Sequence, residues 1–127
     1  MSKDLVVFGY GQRGSIYASY AREFPEQFYL KAIIENDPKR IQKARVDCSE
    51  VPIYTDYHAF LNEHIKADLV AIATQDRQHR EHAIAMLNAG YNLLLEKPIS
   101  VNREDCLAIY EASIRNQRKV IVCYVLR

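Results

Sequence analysis

A chain of 127 residues is long enough to bury one hydrophobic core and too short for two full domains, so one domain is expected over residues 1–127. Seventeen basic residues against sixteen acidic leave a net charge of +1, which gives no long-range field to recruit nucleic acid or an anionic membrane. The apolar runs are strand-sized, Met1 to Asp4 hold no apolar leader, and Cys48, Cys106 and Cys123 form no C-x-x-C pair; a soluble, cytoplasmic protein without disulfides is the expectation.

The first strand is expected at residues 5–8. It breaks into Gly9-Tyr10-Gly11-Gln12-Arg13-Gly14, a G-x-G-x-x-G run, and a helix follows over 13–24. Each glycine has its own task. Gly9 permits the tight turn, Gly11 lets the backbone approach a pyrophosphate, and Gly14 lets the helix pack close to the sheet, while the first helical amides and the helix dipole favour a phosphate. A second strand over 29–34 ends at Glu35, about twenty residues past Gly14, where a dinucleotide site needs an acid for the ribose hydroxyls.

Helix and strand then alternate to the end of the chain. Helices are expected over 38–45, 57–65, 79–88 and 103–116, and strands over 52–54, 69–73, 91–95 and 120–125. Pro38 suits a first helical turn, Asp56 and Asn102 suit caps, and Gly90 lies where a left-handed residue ends a helix. The alternation predicts an α/β Rossmann fold: a doubly wound, parallel six-stranded sheet of order 3-2-1-4-5-6 with helices on both faces and the ligand across the carboxyl strand ends. At those ends strand four runs out in Ala73-Thr74-Gln75-Asp76 and strand five in Glu96-Lys97-Pro98, placing an acid and a cation beside a restricted backbone.

Together these segments resemble the cofactor domain of the Gfo/Idh/MocA oxidoreductases, over essentially the whole chain. The resemblance rests on the glycine run, on Glu35-Asn36-Asp37-Pro38-Lys39-Arg40, on Ala71-Ile72-Ala73-Thr74, on Ala89-Gly90 followed by Glu96-Lys97-Pro98, and on a last strand ending Tyr124-Val125-Leu126-Arg127. It implies that Lys97 projects into the active site beside nicotinamide and substrate, where an ammonium can hydrogen-bond a substrate hydroxyl or stabilise developing negative charge. Glu96 and Pro98 would shape the turn that aims it. The same resemblance implies cofactor contacts from Gly9, Tyr10, Gly11, Gln12, Arg13 and Gly14, from Glu35 and Asn36, and from Ala73, Thr74, Gln75 and His79. Tyr10 is expected to border the cofactor. Glu35 would accept from the adenosine ribose and repel a 2′-phosphate, which favours NAD; Arg13 and Arg40, as a phosphate clamp, keep NADP open. Gln75, Asp76 and Arg77 depart from the family pattern, which has Pro and Asn after the threonine.

No metal site is expected, because His79, Glu81 and His82 do not have the H-E-x-x-H spacing and no further ligand set accompanies them. His58 and His64 read as surface residues, and Tyr17 and Tyr20 as packing or surface residues. The resemblance further implies a larger α/β substrate domain beyond Arg127 that carries the proton-transfer residues. The whole enzyme, expected as a homo-oligomer, would move hydride between nicotinamide and a hydroxyl-bearing carbon of a sugar, inositol or related polyol, and these 127 residues alone would bind cofactor without turnover. The alternative is a free-standing NAD(P)-sensing module without catalysis; a methyltransferase is disfavoured by Glu96-Lys97-Pro98.

Overall fold

Short aliphatic runs buried on both faces make strands of a parallel sheet, and crossover helices must then cover those faces. The computed structural model describes residues 3–74, 79–96 and 103–123, the side chains of His79, Glu96, Val122 and Cys123 excepted. The elements follow in strict alternation: β1 (Lys3–Phe8), α1 (Gln12–Glu23), β2 (Phe28–Ile34), α2 (Pro38–Asp47), β3 (Ile53–Tyr54), α3 (Tyr57–Asn62), β4 (Leu69–Ile72), α4 (His79–Asn88), β5 (Leu93–Glu96), α5 (Arg103–Arg115) and β6 (Val120–Cys123). All six strands form one sheet in the order β3-β2-β1-β4-β5-β6, every pair parallel, as the alternation predicts.

Two apolar layers flank the sheet. Val6, Phe8, Ala32, Ile34, Val70, Ile72, Leu93 and Leu95 face Phe60 of α3, Ala83, Met86 and Leu87 of α4, and Ile109 and Ala112 of α5. Leu5, Val7, Ile33 and Ala71 face Tyr17, Ala18 and Ala21 of α1 and Ala44 of α2. Leu30 joins this second layer although it lies an even number of residues from Ala32 and Ile34, which face the first. A register shift explains it: Leu5 pairs with Leu30 and Val6 with Ala32, so Lys31 is an extra residue and the alternation inverts across it. Lys31 itself meets Asp4 at 3.6 Å.

Caps set several ends. Asp37 accepts from the Arg40 amide at 3.0 Å to start α2, with Pro38 in the first turn, and Asp56 accepts from the His58 amide at 3.0 Å to start α3. Gly90, at φ +95°, follows α4. α3 stops at Asn62, earlier than its apolar period suggests, because His64 takes φ +51° and turns the chain out of the helix.

Candidate functional site

The carboxyl ends of β1, β2 and β4 converge on one cavity of about 440 Å³, and the glycine run forms its edge. Gly9 leaves β1 at φ +100°, and its amide donates to the Ile34 carbonyl at 2.8 Å, so the turn stays fastened to β2. Gly14 sits under that turn: a Cβ there would lie 1.7 Å from the Gly9 carbonyl oxygen, which only a missing side chain allows. α1 thereby starts directly beneath the loop. Its N-cap is Gly11, no side chain caps it, and its first turn carries no acid. By contrast α2 and α3 are both capped by aspartates. An uncapped helix start without a carboxylate is chemically suited to an anion.

Glu35 follows β2 and is buried, at 6% exposure. Its Oε1 accepts from the Tyr10 amide at 2.6 Å, and its Oε2 from the Asn36 and Asp37 amides at 3.0 and 2.9 Å. Three backbone donors offset the burial of a charge. A carboxylate has about four acceptor sites, so one remains for a sugar hydroxyl. Glu35, Asn36, Asp37 and Arg40 all line the cavity, and the Arg40 guanidinium reaches over the loop, its Cζ 3.3 Å from where a Gly11 Cβ would stand.

Tyr10 departs from expectation. Its ring does not border the cavity: it is fully buried between α1 and α2, because the turn at Gly9 directs it into that layer. The phenol donates to Asp47 Oδ2 at 2.9 Å and lies 3.8 Å from Cys48 Sγ, while Lys43 sits 5.3 Å from the ring centroid. Burial, reinforced by the Asp47 hydrogen bond, pushes the phenol well above the usual tyrosine range, and that same hydrogen bond lowers Asp47. Tyr10 therefore serves the site through its amide.

The opposite wall comes from β4, α3 and α4. Thr74 Oγ1 and His82 Nδ1 are 3.0 Å apart, and the buried His82 ring stacks on Phe8 with centroids 4.3 Å apart. Tyr57 meets His82 edge-on at 5.1 Å, stacks on His58 at 4.2 Å, and donates its phenol to Glu81 Oε2 at 2.5 Å. Burial raises the Tyr57 phenol to about 12, and the Glu81 hydrogen bond adds to the shift.

The structure brings Gly9, Glu35, Asn36 and Thr74 to one cavity, with Ala73 adjoining through its carbonyl, 3.0 Å from a Gly9 Cβ. Gln12 is exposed and Arg13 half-buried at the start of α1. His79 opens α4 and Glu96 closes β5, their side chains not described, and Gln75, Lys97 and Pro98 lie outside the described residues. Tyr57, Glu81 and His82 complete the wall although no sequence motif singles them out for it. The available signals were Asp56, which fixes the start of α3, and the position of His82 one turn into α4. Among the described residues no cluster of three or more His, Cys, Asp or Glu is placed to hold a metal, and no helix is long and apolar enough to cross a membrane.

Comparison with known proteins agrees with this geometry. The family model described as "Oxidoreductase family, NAD-binding Rossmann fold" matches residues 3–124. Inositol 2-dehydrogenase 2 of Saccharopolyspora erythraea is 26% identical over 121 residues, which cover 95% of this chain and 35% of that protein. The crystal structure of an NAD-binding protein from Listeria innocua superposes with a TM-score of 0.82 at 31% identity, over 94% of this chain and 34% of the other. The WlbA dehydrogenase from Bordetella pertussis, solved in complex with NADH and UDP-GlcNAcA, has the same fold at a TM-score of 0.89 and 20% identity, over 97% of this chain and 37% of the other. The chain thus spans about a third of the length of these relatives. A parallel 3-2-1-4-5-6 sheet, a glycine turn fastened over an uncapped helix and a buried acid after β2 are the parts of a dinucleotide site, and the chain belongs to the Gfo/Idh/MocA oxidoreductase family as its NAD-binding Rossmann domain.

Proposed function

We propose that this domain holds NAD across the carboxyl ends of β1, β2 and β4 and serves an oxidoreductase acting on a hydroxyl-bearing carbon of a sugar, inositol or related polyol. The observation that carries the cofactor assignment is Glu35: a buried carboxylate at the edge of the cavity, with one acceptor site left, beside a helix start that no side chain caps. In this reading the amides from Gly11 to Gly14 take the pyrophosphate, with Gln12 and Arg13 among them. Glu35 and Asn36 take the adenosine ribose, and Ala73, Thr74, Gln75 and His79 line the route toward the nicotinamide. The bound nicotinamide supplies the hydride acceptor. Lys97, aimed by Glu96 and Pro98, hydrogen-bonds the substrate hydroxyl and stabilises the negative charge that develops as its proton leaves. Family resemblance supports that role, as it supports a separate substrate domain with the proton-transfer residues, a homo-oligomer and a cytoplasmic location.

Glu35 also supports NAD over NADP, since a 2′-phosphate would meet a carboxylate there, while Arg40 is the cation on hand if that phosphate is accepted. Calorimetric titration of the chain with NADH and NADPH, repeated with Glu35→Ala, tests the assignment. NADH should bind more tightly than NADPH, and the substitution should weaken NADH about tenfold or more and narrow the gap, the loss of one hydrogen bond to a charged group. Equal affinities that ignore Glu35 would refute it.

A further inference from the structure

The sheet ends differently at its two edges. β3 is only Ile53–Tyr54, so it leaves little backbone for another strand to take up. β6, Val120–Cys123, pairs with β5 in unbroken register along one side and meets no strand on the other among the described residues. Its four residues are Val, Ile, Val and Cys, without the lysine, proline or bulge that blunts an open edge. The helix beside it repeats the pattern. α5 buries Ile109 and Ala112 against the sheet, and it meets α4 through Asp105, which accepts from Arg80 at 3.2 Å, and through Arg115 and Asn116, which donate to Asn88 at 3.2 and 2.8 Å. Leu107, Tyr110 and Ile114, spaced three and four apart, form a stripe on the flank turned away from α4, and they are 48, 61 and 57% exposed. That flank lies on the β6 side of the sheet, so an open apolar strand and an open apolar helix stripe share one edge.

We propose that a second copy of this chain covers this edge, β6 pairing antiparallel with β6 and α5 packing antiparallel on α5 about one twofold axis perpendicular to the sheet. Symmetry and charge both favour that occupant. A single axis that sets the two β6 strands antiparallel keeps both α5 helices on the same sheet face, side by side, so the stripe of one meets the stripe of the other and the assembly closes at two. α5 begins with Glu104 and ends with Arg115, followed by Arg118 and Lys119; reversing one helix against the other sets the acidic start of each beside the basic end of its partner. With Glu104 opposite Arg115 of the partner subunit, Leu107 falls between Tyr110 and Ile114 of the partner subunit, a knob seated between its neighbours. Arg103, the cation at the helix start, comes to the carbonyl end of the partner's α5, where the dipole favours it. The inference goes beyond the homo-oligomer proposed above by naming the face, and it stands apart from the cofactor assignment.

The test is sedimentation velocity of the chain from about 1 μM to about 1 mM, the span in which small specific interfaces form, for the parent, Tyr110→Glu, Glu104→Arg, Arg115→Glu and the double variant with both charges exchanged. The parent should pass from monomer to dimer within that span and stop there. Tyr110→Glu should raise the dissociation constant about tenfold or more, because it sets a charge in the middle of the apolar contact. Each single charge exchange should weaken the dimer about threefold or more, since every pair occurs twice across a twofold, and the double variant should return to within about twofold of the parent. All three side chains are exposed, so the variants should fold as the parent does, which circular dichroism checks. The β6 amides should gain protection from hydrogen exchange as the dimer forms. A parent that stays monomeric throughout, a dimer indifferent to Tyr110→Glu, or a double variant no better than the singles overturns the proposal. So does β6 exchange that stays unchanged through dimerisation, or growth beyond the dimer, which a closed twofold forbids.

Discussion

The three glycines of the loop should separate cleanly when each is replaced by alanine, because the structure gives each a different neighbour. At Gly14 the new Cβ would stand 1.7 Å from the Gly9 carbonyl oxygen and 2.8 Å from its carbon. The obstacle is backbone, held by the 2.8 Å bond from the Gly9 amide to Ile34, so either α1 or the loop must move by more than an ångström. Ordinary overpacking costs about 1–3 kcal/mol, and Gly14→Ala should lie at or above the top of that range. At Gly9 the Cβ meets the Ala73 carbonyl group at 3.0 Å and the backbone is at φ +100°, so about 1–3 kcal/mol of strain is expected. Gly11 is at φ −79° and its Cβ would meet only the end of the Arg40 side chain, at 3.3–3.5 Å. Gly11→Ala should therefore fold within about 1 kcal/mol of the parent while losing NADH affinity, its methyl group standing where the pyrophosphate approaches. Urea unfolding followed by circular dichroism, with m of about 1–3 kcal/mol/M, should show the Gly14→Ala midpoint fall by roughly 1 M or more. Calorimetry reads the binding. A Gly14→Ala chain as stable as the parent, or a Gly11→Ala chain as unstable as Gly14→Ala, would refute the division of labour.

The phenol of Tyr10 should leave a signature at both ends of the pH scale. Its pKa is raised by burial and the Asp47 bond, so the stability it contributes is complete below about pH 10, the unfolded value, and is lost as pH rises beyond it. Asp47 is lowered by the same bond, so its contribution is present above about pH 4 and fades as pH falls. Tyr10→Phe should cost about 1–2 kcal/mol at neutral pH and flatten both limbs of a stability–pH profile measured by urea unfolding; a profile parallel to the parent's would refute the coupling. Asp37→Ala removes the cap that accepts from the Arg40 amide at 3.0 Å, and should cost about 0.5–2 kcal/mol in the same unfolding assay. It should also weaken NADH, because the start of α2 carries two of the amides that orient Glu35; unchanged affinity would show that Glu35 holds its place without the cap.

Period and punctuation carried the sheet order and most element boundaries, because buried parallel strands and their crossover helices leave strong local patterns. The exceptions are places where a single backbone angle or a distant partner decides. Nothing local marks Lys31 as the extra residue that inverts β2, since neither glycine nor proline is there. Histidine tolerates the left-handed region more readily than most residues, but that tolerance does not announce that His64 uses it to end α3. The glycine motif located the loop without giving the direction of its side chains, so Tyr10 reads as a cofactor neighbour in sequence and proves to be core. The Tyr57–Glu81 pair spans 24 residues and exists only once α3 and α4 are packed against the same sheet face.

The buried Tyr10 accounts for how the loop holds its shape before any ligand arrives. Its amide is fixed by Glu35, and its phenol is fixed by Asp47 at the last residue of α2. Glu35 in turn gathers the amides of Asn36 and Asp37, and Asp37 caps the first turn of that same helix. One helix is thus tied at both ends to one residue of the glycine loop, directly at its end and through Glu35 at its start. A loop left to order on binding would charge that entropy against affinity; here the ordering is done by folding, at the expense of burying a phenol and a carboxylate that each find their partners. The buried acid after β2 consequently holds the loop, and in the proposed reading it serves the ribose as well. With the cofactor held as proposed, replacing Glu35 should disturb the pyrophosphate end of the site as well as the adenosine end, even though its carboxylate would touch only one of them.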